Sequence, residues 1–238
     1  MALQPHPFRM NLEDIVTAVD LGTPWRVPSE DDLDVIAAVC AFLANLLLRI
    51  EAAPAAVAHL DADQVAAWPL AGRNEATALG QTALAEAVRD PAPAEELEAD
   101  YRRLFVGPGS MLAPPWESVH LDEEGLMFQE QTMGVRHAYA EFGLQAPELN
   151  KEPDDHIGLE LAFLGELAVA ALQAGETGDV GAQGAVLQGM QKFQAEHLGR
   201  WAPLLSGLII EGAQTQLYRA VGHLLAGGVE AFEQILAE

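Results

Sequence analysis

The residues best suited to chemistry stand close together in the segment EPDDHIGLE. Asp155 and His156 are adjacent, with Glu152 before them and Glu160 after them. If a helix begins with Asp154 as its N-cap, Asp155 and His156 lie in its first turn, and Glu160 lies one turn beyond His156 on the same face. Carboxylates beside a histidine suit either metal coordination or the binding of a cationic group.

A metal site requires three or four converging ligands, and His156 with Glu160 supplies only two. The segment ESVH at 117–120 resembles half of a di-iron carboxylate motif, but that motif must occur twice on regular helices. Here it occurs once, directly after Pro114, Pro115 and one tryptophan. We therefore predict no bound metal and no organic cofactor. Helix capping by carboxylates beside an exposed histidine remains an alternative interpretation of the segment.

Two motifs that are typical of enzymes are incomplete in this chain. The sequence GPGS at 107–110 follows a predicted helix rather than a strand and has no lysine after it, so it indicates a turn and not a phosphate-binding loop. Ser110 and Ser118 have histidines in range, yet neither stands in the G-x-S-x-G pattern of a hydrolase. Neither motif supports an enzymatic function.

Helices must position these residues, because apolar residues recur at helical spacing through most of the chain. Ser29 followed by Asp32 predicts a capped start for the first core helix. No alternating strand pattern of convincing length is present, so we predict an all-α fold, an irregular helical bundle of about eight to ten helices. The helices are expected at about 29–53, 55–68, 74–89, 94–105, 123–142, 154–174, 185–198, 201–212 and 214–236.

Breaks in the pattern predict the connections. Prolines and glycines at 107–122 indicate a long loop, and a second loop is expected at 144–153. The glycine-rich segment 175–184 is expected to be flexible, and the glycine pair at 227–228 marks a point where the last helix could break.

The length of 238 residues suits one core. We predict a partly ordered N-terminal extension over 1–28, where four prolines surround a short amphipathic piece, and a single helical domain over 29–238. The N-terminus lacks the pattern of a signal peptide, and the uncharged run at 35–48 is shorter than the roughly 20 residues that cross a bilayer. Cys40, the one cysteine, is expected to be buried. These features favour a cytoplasmic protein.

The charge of the chain restricts its partners. A formal net charge of −24 repels nucleic acid and anionic lipid surfaces and attracts cationic ligands. We therefore expect a basic partner, no nucleic acid and no stable membrane insertion. An acidic surface that serves solubility alone is the competing explanation.

Four stretches carry a resemblance to a known family, and in chain order they read YRRLFVGPGS, APPWESVHLDEEGLMFQEQT, FGL and EPDDHIGLEL. Their order and spacing over about 98–165 resemble the TorD/DmsD family of cytoplasmic chaperones for molybdoenzymes. The resemblance implies a cofactor-free helical protein that is not an enzyme. It also implies binding of the twin-arginine signal peptide and the apo form of a molybdopterin-dependent oxidoreductase, whose export is delayed until the cofactor is inserted.

The resemblance also implies which residues line the peptide site, through the family's E-P-x-D-H motif, its aromatic-x-x-Leu-Phe segment and its W-E-S loop. Relatives often carry Trp where this chain has Tyr101, and Tyr where it has His120. Two guanidinium groups followed by an apolar segment require carboxylates beside an apolar surface, and both are present in this set. The implied site residues are Tyr101, Leu104, Phe105, Trp116, Glu117, Ser118, Glu152, Pro153, Asp155 and His156.

Two other functions remain open at this stage. One is a metal- or nucleotide-dependent enzyme built on the same helical bundle, and the other is an acidic scaffold without a peptide groove. For the assembly we expect a monomer that can form a domain-swapped dimer, because the loops at 107–122 and 144–153 could act as hinges for exchanging helical halves.

Overall fold

The structure is a computed structural model, and it describes residues 27–122, 130–147 and 153–237. Within those ranges the chain forms helices and no named strand, which confirms the all-α prediction. Nine of these helices have eight residues or more, in agreement with the predicted number. Their bounds are α1 Glu30–Leu48, α2 Ala52–His59, α3 Ala62–Ala66, α4 Glu75–Arg89, α5 Ala94–Phe105, α6 Glu117–Leu121, α7 Glu130–Glu141, α8 Ile157–Thr177, α9 Val180–Phe193, α10 Gly199–Gly212 and α11 Gln216–Ala237.

The long helices form two groups that share a core. In one group α8 packs against α1 and α9, and in the other α11 packs against α4 and α10. Helix α1 also contacts α11 and so joins the groups. Burying a large apolar side chain contributes about 1.5–3 kcal/mol, so the aromatic residues at the centre supply much of the driving force. The largest fully buried side chains include Trp201, Tyr139, Tyr218, Phe163, Phe193 and Phe232.

Helix α8 lies at the centre of the first group, where it packs against both α1 and α9. By length and composition it is the one described helix that could cross a membrane, but 78% of that window is buried inside the protein. Its Gly165 faces Cys40 of α1, where an added Cβ would lie 3.1 Å from the cysteine Cβ. Cys40 is fully buried, as expected, and burial raises the pKa of its thiol.

Several helix ends agree with local sequence signals. Ser29 caps α1 by accepting a hydrogen bond from the backbone N–H of Asp32 at 3.1 Å. Helix α5 ends at Phe105, two residues before Gly107 adopts a φ of 102°. These signals act over three or four residues, so they are legible in the sequence.

Three predicted segments are wrong in detail. The first core helix, expected to reach about residue 53, ends at Leu48. The expected helix at 55–68 is split into α2 and α3, because Asp61 starts a new helix by accepting from the N–H of Gln64 at 2.9 Å. The segment 175–184, expected to be flexible, consists of the end of α8, a two-residue turn at 178–179 and the first residues of α9. There Gly178 adopts a left-handed φ of 73°, and Asp179 caps α9 by accepting from the N–H of Ala182 at 2.9 Å.

Helix α11 runs through the glycine pair without a break. A Cβ at Gly227 would overlap the side chain of Thr77, so the glycine permits close approach of α4. The side-chain amide of Asn74 donates to the carbonyl of Gly227 at 2.9 Å. The gap expected between the helices at 185–198 and 201–212 is also filled, because α10 begins at Gly199 and a π-helical segment at Gln194–Leu198 joins it to α9.

Some predictions fall partly or wholly outside the described residues. They include nearly all of the extension at 1–28 and the first part of the helix expected at 123–142, of which α7 is described. The expected loop at 107–122 contains the short helix α6.

Candidate functional site

The W-E-S loop and the E-P-x-D-H motif lie side by side. Trp116 and His156 form an isolated antiparallel bridge, and their rings meet edge to face with centroids 5.8 Å apart. The N–H of Glu117 donates to the carbonyl of Asp155 at 3.0 Å, and the N–H of Ile157 donates to the carbonyl of Pro115 at 2.8 Å. The structure therefore brings together two segments that the sequence separates by about forty residues.

Asp155 is fully buried, and both of its carboxylate oxygens have internal donors. One oxygen accepts from the N–H of Ser118 in the first turn of α6 at 2.7 Å, and the other accepts from the hydroxyl of Thr132 in α7 at 2.8 Å. Carboxylates near the first turn of a helix are favourable because free N–H groups point toward them. Asp155 thus holds α6 and α7 against the segment that begins α8.

His156, and not Asp154, is the N-cap of α8, which corrects the expected start of this helix. Its Nδ1 accepts a hydrogen bond from the N–H of Gly158 at 3.0 Å. Burial lowers the pKa of His156 to about 4, so the ring is neutral at pH 7. Because Nδ1 accepts, the proton of the neutral ring lies on Nε2, which remains a donor.

Asp154 also points into the protein. Its carboxylate forms an ion pair with the guanidinium of Arg136 in α7, and this hydrogen bond raises the pKa of Arg136. Its backbone carbonyl accepts from the hydroxyl of Tyr139 at 3.1 Å. Asp154 is fully buried, so this pair joins α7 to the motif from the inside.

Glu117 and Glu160 form a buried carboxyl pair beneath the bridge. Oε2 of Glu117 lies 2.9 Å from Nδ1 of His197 in the π-helical segment, and Oε2 of Glu160 accepts from the indole N–H of Trp201 at 3.1 Å. Burial raises the pKa of Glu160 well above its usual range, and the charge of Glu117 raises it further. Burial beside a second carboxyl group therefore favours the protonated form of Glu160.

Tyr101, Leu104 and Phe105 lie in the core on α5. The rings of Tyr101 and Phe105 contact Tyr218 of α11, with centroids 6.0 Å and 5.9 Å away. The hydroxyl of Tyr101 donates to the carbonyl of Leu47 at 2.9 Å. The carbonyl of Leu104 accepts from the N–H of Ala113 at 2.9 Å, so this helix supports the loop that leads to Trp116.

The exposure of the other predicted site residues differs. Trp116 and His156 are half-buried, whereas Glu117, Ser118 and Pro153 are buried. Glu152 lies outside the described residues.

A groove of about 490 Å³ adjoins this region. It lies between α7 on one side and the stretch from α9 to the start of α10 on the other. Glu117 and His197 contact each other and both line the groove, so the buried carboxyl pair lies next to it. The apolar part of its lining includes Phe142, Phe163 and Phe193.

Metal binding finds no support in the described part of the chain, where no group of three or more His, Cys, Asp or Glu side chains is arranged to hold an ion. The carboxylates near the motif are occupied by hydrogen bonds to protein donors.

Sequence reasoning missed the partners of the motif residues, namely Thr132, Arg136, His197 and Trp201. His197 stands 80 residues from Glu117, and Trp201 stands 41 residues from Glu160. Spacing within one chain carries no signal for contacts of this kind, because they depend on how α7, α9 and α10 pack. Only the unusual density of carboxylates near residue 155 indicated that partners were needed.

Comparisons with known proteins agree on one family. Residues 72–206 match the model of the nitrate reductase delta subunit family. The Tat proofreading chaperone DmsD of Salmonella typhi is 32% identical over 174 residues, which cover 73% of this chain and 75% of that protein. The DmsD of Salmonella typhimurium strain LT2 is 31% identical over the same shares. The chaperone protein TorD of Aliivibrio fischeri is 33% identical over 131 residues, 55% of this chain and 59% of that protein.

Proposed function

Since this chain belongs to the TorD/DmsD family of molybdoenzyme-maturation chaperones, we propose that it binds the twin-arginine signal peptide of a molybdopterin-dependent oxidoreductase. It also binds the apo form of that enzyme and delays its export until the cofactor is inserted. On this proposal the protein is a chaperone and not an enzyme. It acts in the cytoplasm, where the precursor is held before export.

The observation that carries the proposal is the bridge between Trp116 and His156, which joins the two sequence motifs of the resemblance at one place. Both residues are half-buried, so part of each remains accessible to solvent. The indole of Trp116 offers an apolar surface, and Nε2 of His156 offers a donor to a peptide carbonyl. A tryptophan beside a fixed polar group is typical of sites that anchor a peptide.

The remaining predicted residues are proposed to act through these two. Ser118 and Asp155 hold the first turn of α6, which follows Trp116 directly. Leu104 supports the loop before Trp116 through its carbonyl, and Phe105 packs beside it in the core. A peptide that binds at the bridge therefore depends on the buried residues without touching most of them.

The charge of the chain supports a basic peptide as the ligand. A net charge of −24 attracts two adjacent arginines and increases the rate of encounter at low salt.

The experiment is calorimetric titration of the purified chain with a twin-arginine peptide and with the same peptide carrying two glutamines in place of the arginines. We expect tighter binding of the arginine peptide by about tenfold or more, because charge-assisted hydrogen bonds contribute about 1.5–3 kcal/mol each. Equal binding of both peptides, or binding of neither, would overturn the proposal.

A variant at the bridge tests the location. His156→Asn keeps an oxygen that can cap α8 but removes the ring, so the fold should persist while the peptide binds several-fold more weakly. His59→Asn, at an exposed histidine in the last turn of α2, is the control and should bind like the parent. Identical affinities for the two variants would place the peptide away from the bridge.

We also propose that the chain is a monomer that can exchange helical halves. Two residues of the hinge expected at 107–122 form hydrogen bonds with the start of α8: Pro115 with Ile157, and Ser118 with Asp155. These hydrogen bonds can form within one chain or between two. Light scattering after refolding at high and low concentration tests this, and a single species under every condition would contradict it.

A further inference from the structure

We infer that the arginine side chains of the peptide bind in the groove between α7 and α9, at Glu130 and Glu196, and not at the carboxylate of Asp155. The inference rests on the proposed function, since it names the groups that recognise the peptide's charge.

The motif carboxylates are poorly placed for a guanidinium. Asp154, Asp155 and Glu160 are fully buried, and Glu117 is 1% exposed. Each already accepts a hydrogen bond or ion pair from a protein donor. An arginine could reach them only by losing its hydration and displacing those donors, and desolvating a charge costs several kcal/mol.

The groove, by contrast, presents accessible carboxylates. Glu130 at the start of α7 and Glu196 in the π-helical segment both line it and are exposed. Neither has an ion-pair partner among the residues that the structure describes. Glu141 and Lys192 also line the groove, but they neutralise each other through an ion pair at 3.2 Å. The two unpaired carboxylates equal the two guanidinium groups of the peptide in number and carry the opposite charge.

The same groove supplies an apolar surface for the segment that follows the arginines. Phe163 and Phe193 form its buried side, together with Phe142, which is 8% exposed. Ala138 of α7 lies on its wall and leaves room beside these rings. Carboxylates beside phenylalanine rings fit a guanidinium well, because it donates charge-assisted hydrogen bonds in its plane and packs a ring against its face.

The residues around the E-P-x-D-H motif hold one wall of this groove in place. Asp155 holds the first turn of α6 through Ser118, and the neighbouring Glu117 contacts His197 on the groove wall at 2.9 Å. The E-P-x-D-H motif would thus affect peptide binding even though its carboxylates do not touch the arginines.

The first test replaces the two unpaired carboxylates together. Glu130→Gln with Glu196→Gln should raise the Kd of the twin-arginine peptide at least about tenfold in calorimetry. The control, Glu51→Gln with Glu95→Gln, changes the net charge equally at exposed positions outside the groove. Equal Kd values for the two double variants would overturn the inference.

The second test predicts tighter peptide binding, a result that damage to the fold would not produce. Arg200 lines the groove, and its Nη1 lies 3.4 Å from the carbonyl of Glu196, so its charge opposes an incoming arginine. Arg200→Gln should lower the Kd about two- to threefold relative to Arg89→Gln, an exposed position at the end of α4. A Kd that rises or stays equal to the control contradicts the inference.

The third test fills the apolar part of the groove with a larger side chain. Ala138→Trp should block the groove, and we expect a loss of about tenfold in peptide affinity. Ala140→Trp adds the same ring on the exposed side of α7 and should leave the affinity unchanged. Equal affinities for the two variants would place the apolar segment elsewhere.

These outcomes distinguish a failure of the proposed function from a failure of the groove assignment. If the parent chain fails to prefer the arginine peptide over the glutamine peptide, the proposed function fails. If the parent prefers it and all groove variants behave like their controls, only the groove assignment fails.

Discussion

The carboxylate of Asp155 accepts a hydrogen bond from the backbone N–H of Ser118 at 2.7 Å, across 37 residues of chain. The same carboxylate accepts from the hydroxyl of Thr132 at 2.8 Å, and all three groups are buried. A backbone N–H buried without an acceptor is costly, so this aspartate stabilises the junction of α6, α7 and α8.

Two substitutions of Asp155 distinguish the contribution of its hydrogen bonds to stability from that of its charge. Asp155→Ala leaves the Ser118 N–H and the Thr132 hydroxyl without an acceptor, and the free energy of unfolding should fall by about 3 kcal/mol. Asp155→Asn should cost only about 1 kcal/mol, because its oxygen can accept from Ser118 while its amide donates to the Thr132 oxygen. Urea denaturation followed by circular dichroism measures both losses.

The control for this pair is Asp34→Ala, at an exposed position of α1, which should change stability by less than about 0.5 kcal/mol. Similar losses for Asp155→Asn and Asp155→Ala would show that charge, and not hydrogen bonding, is what the fold requires.

Glu160 predicts a dependence of stability on pH. Its pKa in the folded protein is raised, so the folded state keeps a proton that the unfolded state releases above the usual value of 4.5. The stability is therefore fully present below that pH and is lost as the pH rises toward the raised pKa, at about 1.4 kcal/mol per pH unit. Glu160→Gln, which mimics the protonated form, should lack this loss.

The measurement compares unfolding free energies of parent and Glu160→Gln at a series of pH values from 4.5 to 8. The variant should gain on the parent steadily as the pH rises, while Glu176→Gln, an exposed change on the same helix, should follow the parent. A difference between Glu160→Gln and the parent that stays constant with pH would mean that Glu160 is ionised in the folded protein.

Two acid–arginine pairs on α5 should differ in their effect on stability. Asp100 is 1% exposed, pairs with Arg103, and accepts from the N–H groups of Gln214 at 3.0 Å and Thr215 at 2.8 Å before α11. Asp100→Ala should therefore cost about 3–5 kcal/mol, because it leaves these donors unpaired.

Glu98 pairs with Arg102 at 3.1 Å on the exposed face of the same helix. Glu98→Ala should cost less than about 1 kcal/mol, since solvent already screens this pair. Denaturant midpoints of the two variants measure these losses of stability. Losses of equal size would contradict the structural role of Asp100 at the start of α11.

Salt should weaken peptide binding only in part. The attraction between a basic peptide and a chain of net charge −24 is screened as ionic strength rises, while the apolar contacts persist. Calorimetry between low and high sodium chloride should show a Kd that rises and then levels off. A Kd independent of salt would exclude the accessible carboxylates from recognition.

The sequence by itself determined the fold class, the approximate positions of most helices and the family, because these depend on short-range patterns. Apolar residues at helical spacing produced the long helices, and caps such as Ser29 act on residues three positions away. The order of the motifs along the chain was enough for the resemblance, which the comparisons confirmed. It also placed Trp116 and His156 in one candidate site before their contact was known.

Only the tertiary structure decided which of those residues are accessible. Asp155 and Glu117 look like surface carboxylates in the sequence, yet α7 and the π-helical segment bury both of them. The N-cap of α8 is His156 and not Asp154, because the hydrogen bond from the N–H of Ile157 to the carbonyl of Pro115 fixes the chain there. Burial depends on which distant helices cover a residue, and a single sequence carries no record of that contact until the chain has packed.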